Sequence, residues 1–244
     1  MAETNQSKRR FFKRLCCGGA ALGASLSVPG VHAAGGKKTG LSPAQALALL
    51  KEGNAKFVAD TPLRSALGRE RRLEIAHGQA PFAVLVSCSD SRVAPELLFG
   101  RGLGELFTVR NAGNTVDTVA QGSIEYAVAE LGVPLIVVMG HERCGAVAAA
   151  LSVVQKNAAF PGSIGPMVEP IVPAVLKART TLAGKDGLSQ EDLLDASVKE
   201  NVMRVVERLR KSEALLQEPL RARRLMVVGA RYDLDDGAVE FFEG

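Results

Sequence analysis

The sequence predicts an α/β fold: a mostly parallel central sheet flanked by helices, with an N-terminal helical arm and a C-terminal antiparallel hairpin. Three observations predict it. Phe82-Ala83-Val84-Leu85-Val86 and the run "PLIVVMG" are apolar without alternation, as strands of a parallel sheet covered on both faces are. Stretches of helical length stand between and after these runs, so strand and helix alternate. The chain ends on "YDLDDGAVEFF", two strand-like runs around an Asp-Gly turn.

Each element has its own warrant. Ser42-Pro43-Ala44-Gln45 combines an N-cap, a proline at the first helical position and a capping-box glutamine; Leu47, Leu50 and Phe57 then share one face, which predicts a helix from Ser42 to Asp60. A charged segment, Arg69 to Arg72, leads into the first strand, Phe82 to Val86. A short helix is expected through Pro95-Glu96-Leu97-Leu98, and "ELFTVRN" alternates as a strand. "DTVAQGSIEYAVAELG" reads as a helix closed by Gly132, "PLIVVMG" as the second apolar strand, and "HERCGAVAAALSVV" as a turn entering a helix. Residues 163–183 are helical but interrupted by Pro166, Pro170 and Pro173. Ser189 to Gln217, opened by "SQED", predicts one long amphipathic helix before the strand "RLMVVGA" and the hairpin.

The 244 residues carry a net charge of +4, but five of the basic residues and only one acidic residue lie within residues 1–33, so the remainder is balanced. The basic excess therefore belongs to a leader and not to a nucleic-acid surface. Arg9-Arg10 ahead of Phe12 and a Gly/Ala/Leu stretch resembles a twin-arginine export signal, with Val31-His32-Ala33 placing cleavage after Ala33 and a mature start at Ala34. The expected organisation is a signal at 1–33, a linker at 34–41 and one domain at 42–244, periplasmic and without a membrane segment once the signal is removed. "GRGLGE" (Gly100 to Glu105) precedes a strand where a dinucleotide loop would follow one, which excludes that reading.

Cys16, Cys17 and His32 leave with the leader, so the mature chain keeps Cys88, Cys144, His77 and His141. Two thiols in an exported protein read first as one disulfide. Their contexts argue for metal instead: "LVSCSDSR" and "VVMGHERCG" both put a Cys or His-x-x-Cys in the turn after an apolar strand. Reactive groups gather beyond the carboxyl ends of parallel strands. If the two strands are neighbours, Cys88, His141 and Cys144 converge as a zinc ligand set with a fourth position open to water or substrate. Asp90 could fill that position or stand beside a bound water. Separately, a lone Cys at a strand end is a small buried hydrophobe, and an Asp90–Arg92 pair is a surface ion pair of little worth.

"CSDSRVAPELLFGRGLGELFTVRNAGN", "GSIEYAVAELGV" and "GHERCGAV" closely resemble the beta-class carbonic anhydrases, a likeness running from about Ser42 to the terminal "VVGARYDLDDGAVEF". The resemblance implies Cys88, His141 and Cys144 as ligands of one Zn2+ per subunit, with Asp90 joining the metal only in a closed form. It implies Asp90 and Arg92 as the catalytic dyad, Gln79 and the backbone N–H of Gly145 as substrate contacts, and Phe107 and Tyr126 as pocket walls supplied by a partner subunit. The expected assembly is a homodimer or a higher even-numbered oligomer. Ala112 stands where Val or Ile is commoner, implying a slightly wider pocket. The closed subgroup that binds bicarbonate at a second site carries Trp three residues before the first Cys; this chain has Leu85 there and no Trp, implying the open type. The expected reaction is reversible hydration of CO2 to bicarbonate and a proton. Zinc acidifies the attacking water, and Asp90, an acceptor only, orients it under the Arg92 fork. The alternatives are a zinc hydrolase of carbon disulfide or carbonyl sulfide on the same scaffold, and an exported thiol-redox or binding protein.

Overall fold

Ser42 opens the first helix as its residues dictate. Its Oγ accepts the Gln45 N–H at 3.3 Å while Gln45 Oε1 accepts the Ser42 N–H at 2.8 Å, closing the capping box at the head of α1 (Pro43–Val58). The computed structural model describes residues 38–63, 67–184, 186–211 and 215–242. The export signal, its cleavage point and the first part of the linker lie outside them.

After α1 come α2 (Arg69–Ile75), β1 (Ala83–Ser87), α3 (Pro95–Leu98), β2 (Leu106–Arg110), a 3-10 turn (Ala112–Asn114), α4 (Thr118–Ala129), β3 (Leu135–His141) and α5 (Gly145–Lys156). The chain continues through α6 (Ile164–Val168), a 3-10 turn (Glu169–Ile171), α7 (Val172–Leu182), α8 (Gln190–Lys211), α9 (Gln217–Arg221), β4 (Met226–Tyr232) and β5 (Val239–Phe242). The strands form one sheet in the order β2-β1-β3-β4-β5, parallel except for the antiparallel β4–β5 pair. This is the expected α/β architecture with its terminal hairpin.

The continuous apolar runs divide by parity, as a pleated strand requires. Val84, Val86, Ile136, Val138 and Val227 face α4 and α8, whereas Ala83, Leu85, Leu135, Val137, Met139 and Ala230 face α1 and α3. β1 and β3 are buried along their whole length. The site at their tips therefore stands on a rigid base. Gly140, the penultimate residue of β3, lies under α8 so closely that a Cβ there would come within 2.8 Å of Val198 and Val202.

The N-terminal helix is packed on its own chain: Ala46, Leu47 and Leu50 enter the core, and Asn54 donates to the Gly237 carbonyl at 2.9 Å and accepts from the Val239 N–H at 2.8 Å. The structure differs from the expectation in four places. The first strand is shifted by one residue from the Phe82–Val86 prediction. The helix expected to run to Gln217 ends at Lys211, and Gln217 begins the separate α9. The charged segment before β1 is helical: α2 buries no residue and is held by Arg71, which donates to the Leu103 carbonyl at 2.9 and 3.1 Å. Among Pro166, Pro170 and Pro173, the last two fall in the first turns of new helical segments, where a missing N–H costs nothing, so one expected broken helix becomes three short pieces. Among the described residues no helix is long and apolar enough to cross a membrane.

Candidate metal centre and active site

β1 and β3 are direct neighbours, with Ser87 opposite Met139, so the residues that follow them are brought side by side. Cys88 comes immediately after β1, His141 is the last residue of β3, and Cys144 is the N-cap of α5. Arg143, at φ 48°, turns the chain between the two β3-end ligand positions. The two sulfurs and a ring nitrogen of His141 all lie within 4.8 Å of one another, and all three residues are buried. His77 is not part of this cluster. It borders a surface depression before β1.

The hydrogen bonding of the donor set fits a metal. His141 Nδ1 lies 2.8 Å from the Glu142 carbonyl, which fixes the proton on Nδ1 and leaves a lone pair on Nε2. Nε2 is buried and has no hydrogen-bond partner. A buried acceptor left unpaired is costly, and one aimed at two sulfurs is accounted for by a cation. The hydrogen bond from the Cys144 thiol draws Cys88 down to about 4, against burial and with help from His141 and the Gly113 and Asp90 N–H groups. The same bond, then burial, push Cys144 upward. Two thiolates packed this closely in a buried volume require a positive ion. Two thiolates and an imidazole suit zinc.

Beside this cluster Arg92 forks onto Asp90, Nε donating to Oδ1 at 3.0 Å and Nη2 to Oδ2 at 2.8 Å, while the Arg92 N–H adds a third bond to Oδ1 at 3.0 Å. The guanidinium holds the Asp90 carboxyl well below the usual carboxylate range. Asp90 Oδ2 is 3.8 Å from His141 Nε2, so the carboxylate faces the same space as the orphan nitrogen. Gly145 opens α5 next to Cys144, and a Cβ added to it would meet nothing within 4 Å.

Two features were not foreseen in the sequence. Arg110, the last residue of β2, donates to the carbonyls of Cys88 at 3.1 Å, Asp90 at 2.9 Å and Val93 at 2.7 Å, binding the loop that carries ligand and dyad. Its signal was a guanidinium placed at a strand end beside that loop. On the other side, Arg143 forks onto Asp235 at 2.6 and 3.0 Å and Arg231 donates to Glu142 at 2.8 Å, fastening the His141–Cys144 turn to the β4–β5 hairpin. Glu142, Asp233 and Asp235 form an acidic group, each member of which is paired with one of these two arginines.

One chain does not bring the remaining site residues to this centre. Phe107 and Tyr126 meet each other, with ring centroids 6.4 Å apart. Phe107 is in register with Val84, which places it roughly 13 Å along the strand direction from Cys88 at the usual rise per residue. Gln79 is exposed beyond the opposite end of β1 and borders the same depression as His77.

The family model described as carbonic anhydrase matches residues 83–239. A carbonic anhydrase of Mycolicibacterium smegmatis is 43% identical over 199 residues, covering 82% of this chain and 93% of that protein. Of the solved structures, a β-carbonic anhydrase of Aspergillus fumigatus aligns with a TM-score of 0.62 at 29% identity, covering 82% of this chain and 90% of the other. One of two tetrameric β-carbonic anhydrases of Sordaria macrospora aligns with a TM-score of 0.62 at 29% identity over 70% of this chain and 85% of its own. The family model spans more than half of the chain and the relatives match over most of both lengths, so the chain belongs to the beta-class carbonic anhydrase family.

Proposed function

We propose that this protein catalyses the reversible hydration of CO2 to bicarbonate and a proton, with one zinc ion per chain held by Cys88, His141 and Cys144. The observation that carries this is the buried, partnerless His141 Nε2 aimed at two thiols, with a clamped carboxylate 3.8 Å away. Bound there, zinc supplies the Lewis acidity that lets water ionise near neutral pH.

The chain's own groups do the orienting. Ionised Asp90 accepts hydrogen bonds and donates none, so a water or hydroxide beside it must point its O–H at the carboxylate and an oxygen lone pair elsewhere. Arg92 fixes the plane of that carboxylate, which keeps the lone-pair direction constant from one turnover to the next. The Gly145 N–H, at the start of α5, offers a donor for a substrate oxygen. Gln79, Phe107 and Tyr126 serve the pocket of a second subunit, because Phe107 of β2 stands level with Val84, Tyr126 of α4 packs on Phe107, and Gln79 precedes the opposite end of β1 from Cys88. Edge strand β2 leaves Leu106, Phe107 and Val109 half-buried along an unpaired edge, which gives a homodimer or larger even-numbered assembly an apolar edge to cover.

The bidentate Arg92 bond holds Asp90 in the open arrangement. Leu85, where the bicarbonate-regulated subgroup carries Trp, is fully buried in the α1/α3 core and has no side chain in contact with solvent. Stopped-flow CO2 hydration with metal analysis tests the whole reading. We expect about one zinc per chain, hydration that disappears on zinc removal, and bicarbonate inhibition that is hyperbolic. Carbonyl sulfide or carbon disulfide hydrolysis without CO2 hydration would overturn the substrate, and sigmoidal bicarbonate inhibition would overturn the open type.

A further inference from the structure

We infer that Asn201, in the middle of α8, is a positioning residue for the metal centre, holding a backbone hydrogen-bond donor against the Cys88 sulfur. The inference rests on the zinc reading and adds to it a residue remote from the ligands in sequence.

The Cys88 sulfur accepts the Gly113 N–H at 3.3 Å, a buried bond. Gly113 reaches this position at φ 73°, a region that favours glycine, and a Cβ on it would come within 2.6 Å of Ile171 Cδ1, so the turn admits only glycine there. A glycine is free to leave this conformation for others, so the contacts around it select the one that faces the sulfur. Packing by Ile171 and Ala146 presses on one side. On the other, Asn201 Nδ2 donates to the Gly113 carbonyl at 2.8 Å, and this bond too is buried. The carbonyl and the N–H belong to different peptide units of the same residue, so Asn201 acts by fixing the rotation of Gly113 and not by polarising its N–H.

The placement of Asn201 on α8 supports a specific use. Val198, Val202, Val205, Val206 and Leu209 form the buried stripe of that helix, and Asn201, 3% exposed, sits within it. An amide there is costly unless bonded, and its bond goes to the one residue that donates to a candidate metal ligand from the Ala112–Asn114 turn. A donor held against a thiolate lowers the energy of the sulfur lone pair and keeps the ligand pointed; such outer partners commonly control metal retention.

The test uses the full enzyme loaded with zinc, or with cobalt(II) in its place, in wild-type, Asn201→Ala, Asn201→Leu and Val205→Ala forms. Asn201→Leu suits the apolar stripe and guards against a variant that fails to fold. Val205→Ala truncates the same helix within the core cluster that does not include the cysteines. We expect both Asn201 variants to surrender zinc to a chelator about 10-fold faster or more. Their sulfur-to-cobalt absorption should move to longer wavelength, as a sulfur that loses a hydrogen bond becomes easier to oxidise. Val205→Ala should change neither. Wild-type extraction rates and an unshifted band in both Asn201 variants would overturn the inference, as would an equal shift in Val205→Ala. Failure of the wild type to bind zinc or cobalt would instead overturn the metal-site reading beneath it.

Discussion

Replacing Cys88 or Cys144 with serine is expected to empty the metal centre: zinc should fall from about one per chain to less than about a tenth, and CO2 hydration with it. A serine hydroxyl keeps its proton at neutral pH, is a hard and shorter donor, and leaves one thiolate and one imidazole to hold a borderline-soft ion. The two replacements separate a ligand from a packing role. Cys144 is the N-cap of α5, a position where serine is among the favoured residues. Cys144→Ser should therefore lose zinc without lowering the thermal stability of the metal-free protein. Cys88 and Cys144 are both buried members of the cluster formed with Val147, Ile171 and Val175, but only a serine at 144 gains a helix to cap; at 88 the hydroxyl stands among apolar neighbours without that gain. Metal analysis and thermal melts of the metal-free proteins make the comparison. A full complement of zinc in either variant would remove that cysteine from the ligand set.

The second large effect is on rate alone. Arg92→Ala should retain zinc and lose on the order of 10²-fold in CO2 hydration, the scale of a misplaced catalytic group. Arg92 is 53% exposed on its side chain and contributes to no core cluster, so its removal should leave the fold intact. What it takes away is the fork on both oxygens of Asp90, leaving that carboxylate the Arg92 backbone N–H and a free rotation. The carboxyl pKa should rise toward its ordinary range as the guanidinium goes. With Oδ2 only 3.8 Å from His141 Nε2, a carboxylate released from its clamp can also turn into the metal's space. Arg92→Lys should recover part of the rate at most, since an ammonium grips one oxygen where the fork grips two. Hydration within a few-fold of wild type in Arg92→Ala, at equal zinc content, would refute the clamp.

The residues that were legible in the sequence are those whose physics is local. The β1 and β3 runs announce burial on both faces by their lack of alternation, and the Ser42–Gln45 box announces the head of α1. The cysteines and His141 were legible because strand-end placement follows from where an apolar run stops. α2 was missed because it buries no residue, so no apolar period marks it; its tie is the distant carbonyl of Leu103. The break before Gln217 was missed because the amphipathic pattern runs on past Lys211. Arg110 and Asn201 act through partners 17 or more residues away, contacts that only the folded sheet creates. The separation of Phe107 and Gln79 from Cys88 likewise depends on strand register, which spacing along the chain does not carry.

The burial of β1 and β3 has a consequence for how metal comes and goes. Two of the three ligands are continuous with strands whose every residue is shielded, the part of a protein whose amides open only in near-global unfolding. Their spacing is therefore stored in the sheet ladder and not in the ion. Stripping zinc should leave amide hydrogen exchange of Leu85, Val137 and Met139 as slow as before, with faster exchange confined to the turns at Ser89–Arg92 and Ala112–Asn114. Mass spectrometry of exchanged, metal-free protein reads this directly; acceleration throughout both strands would show that the ion, and not the sheet, keeps the ligands in place. A site of this kind is a template with a memory: it can exchange its ion many times in the life of one folded chain.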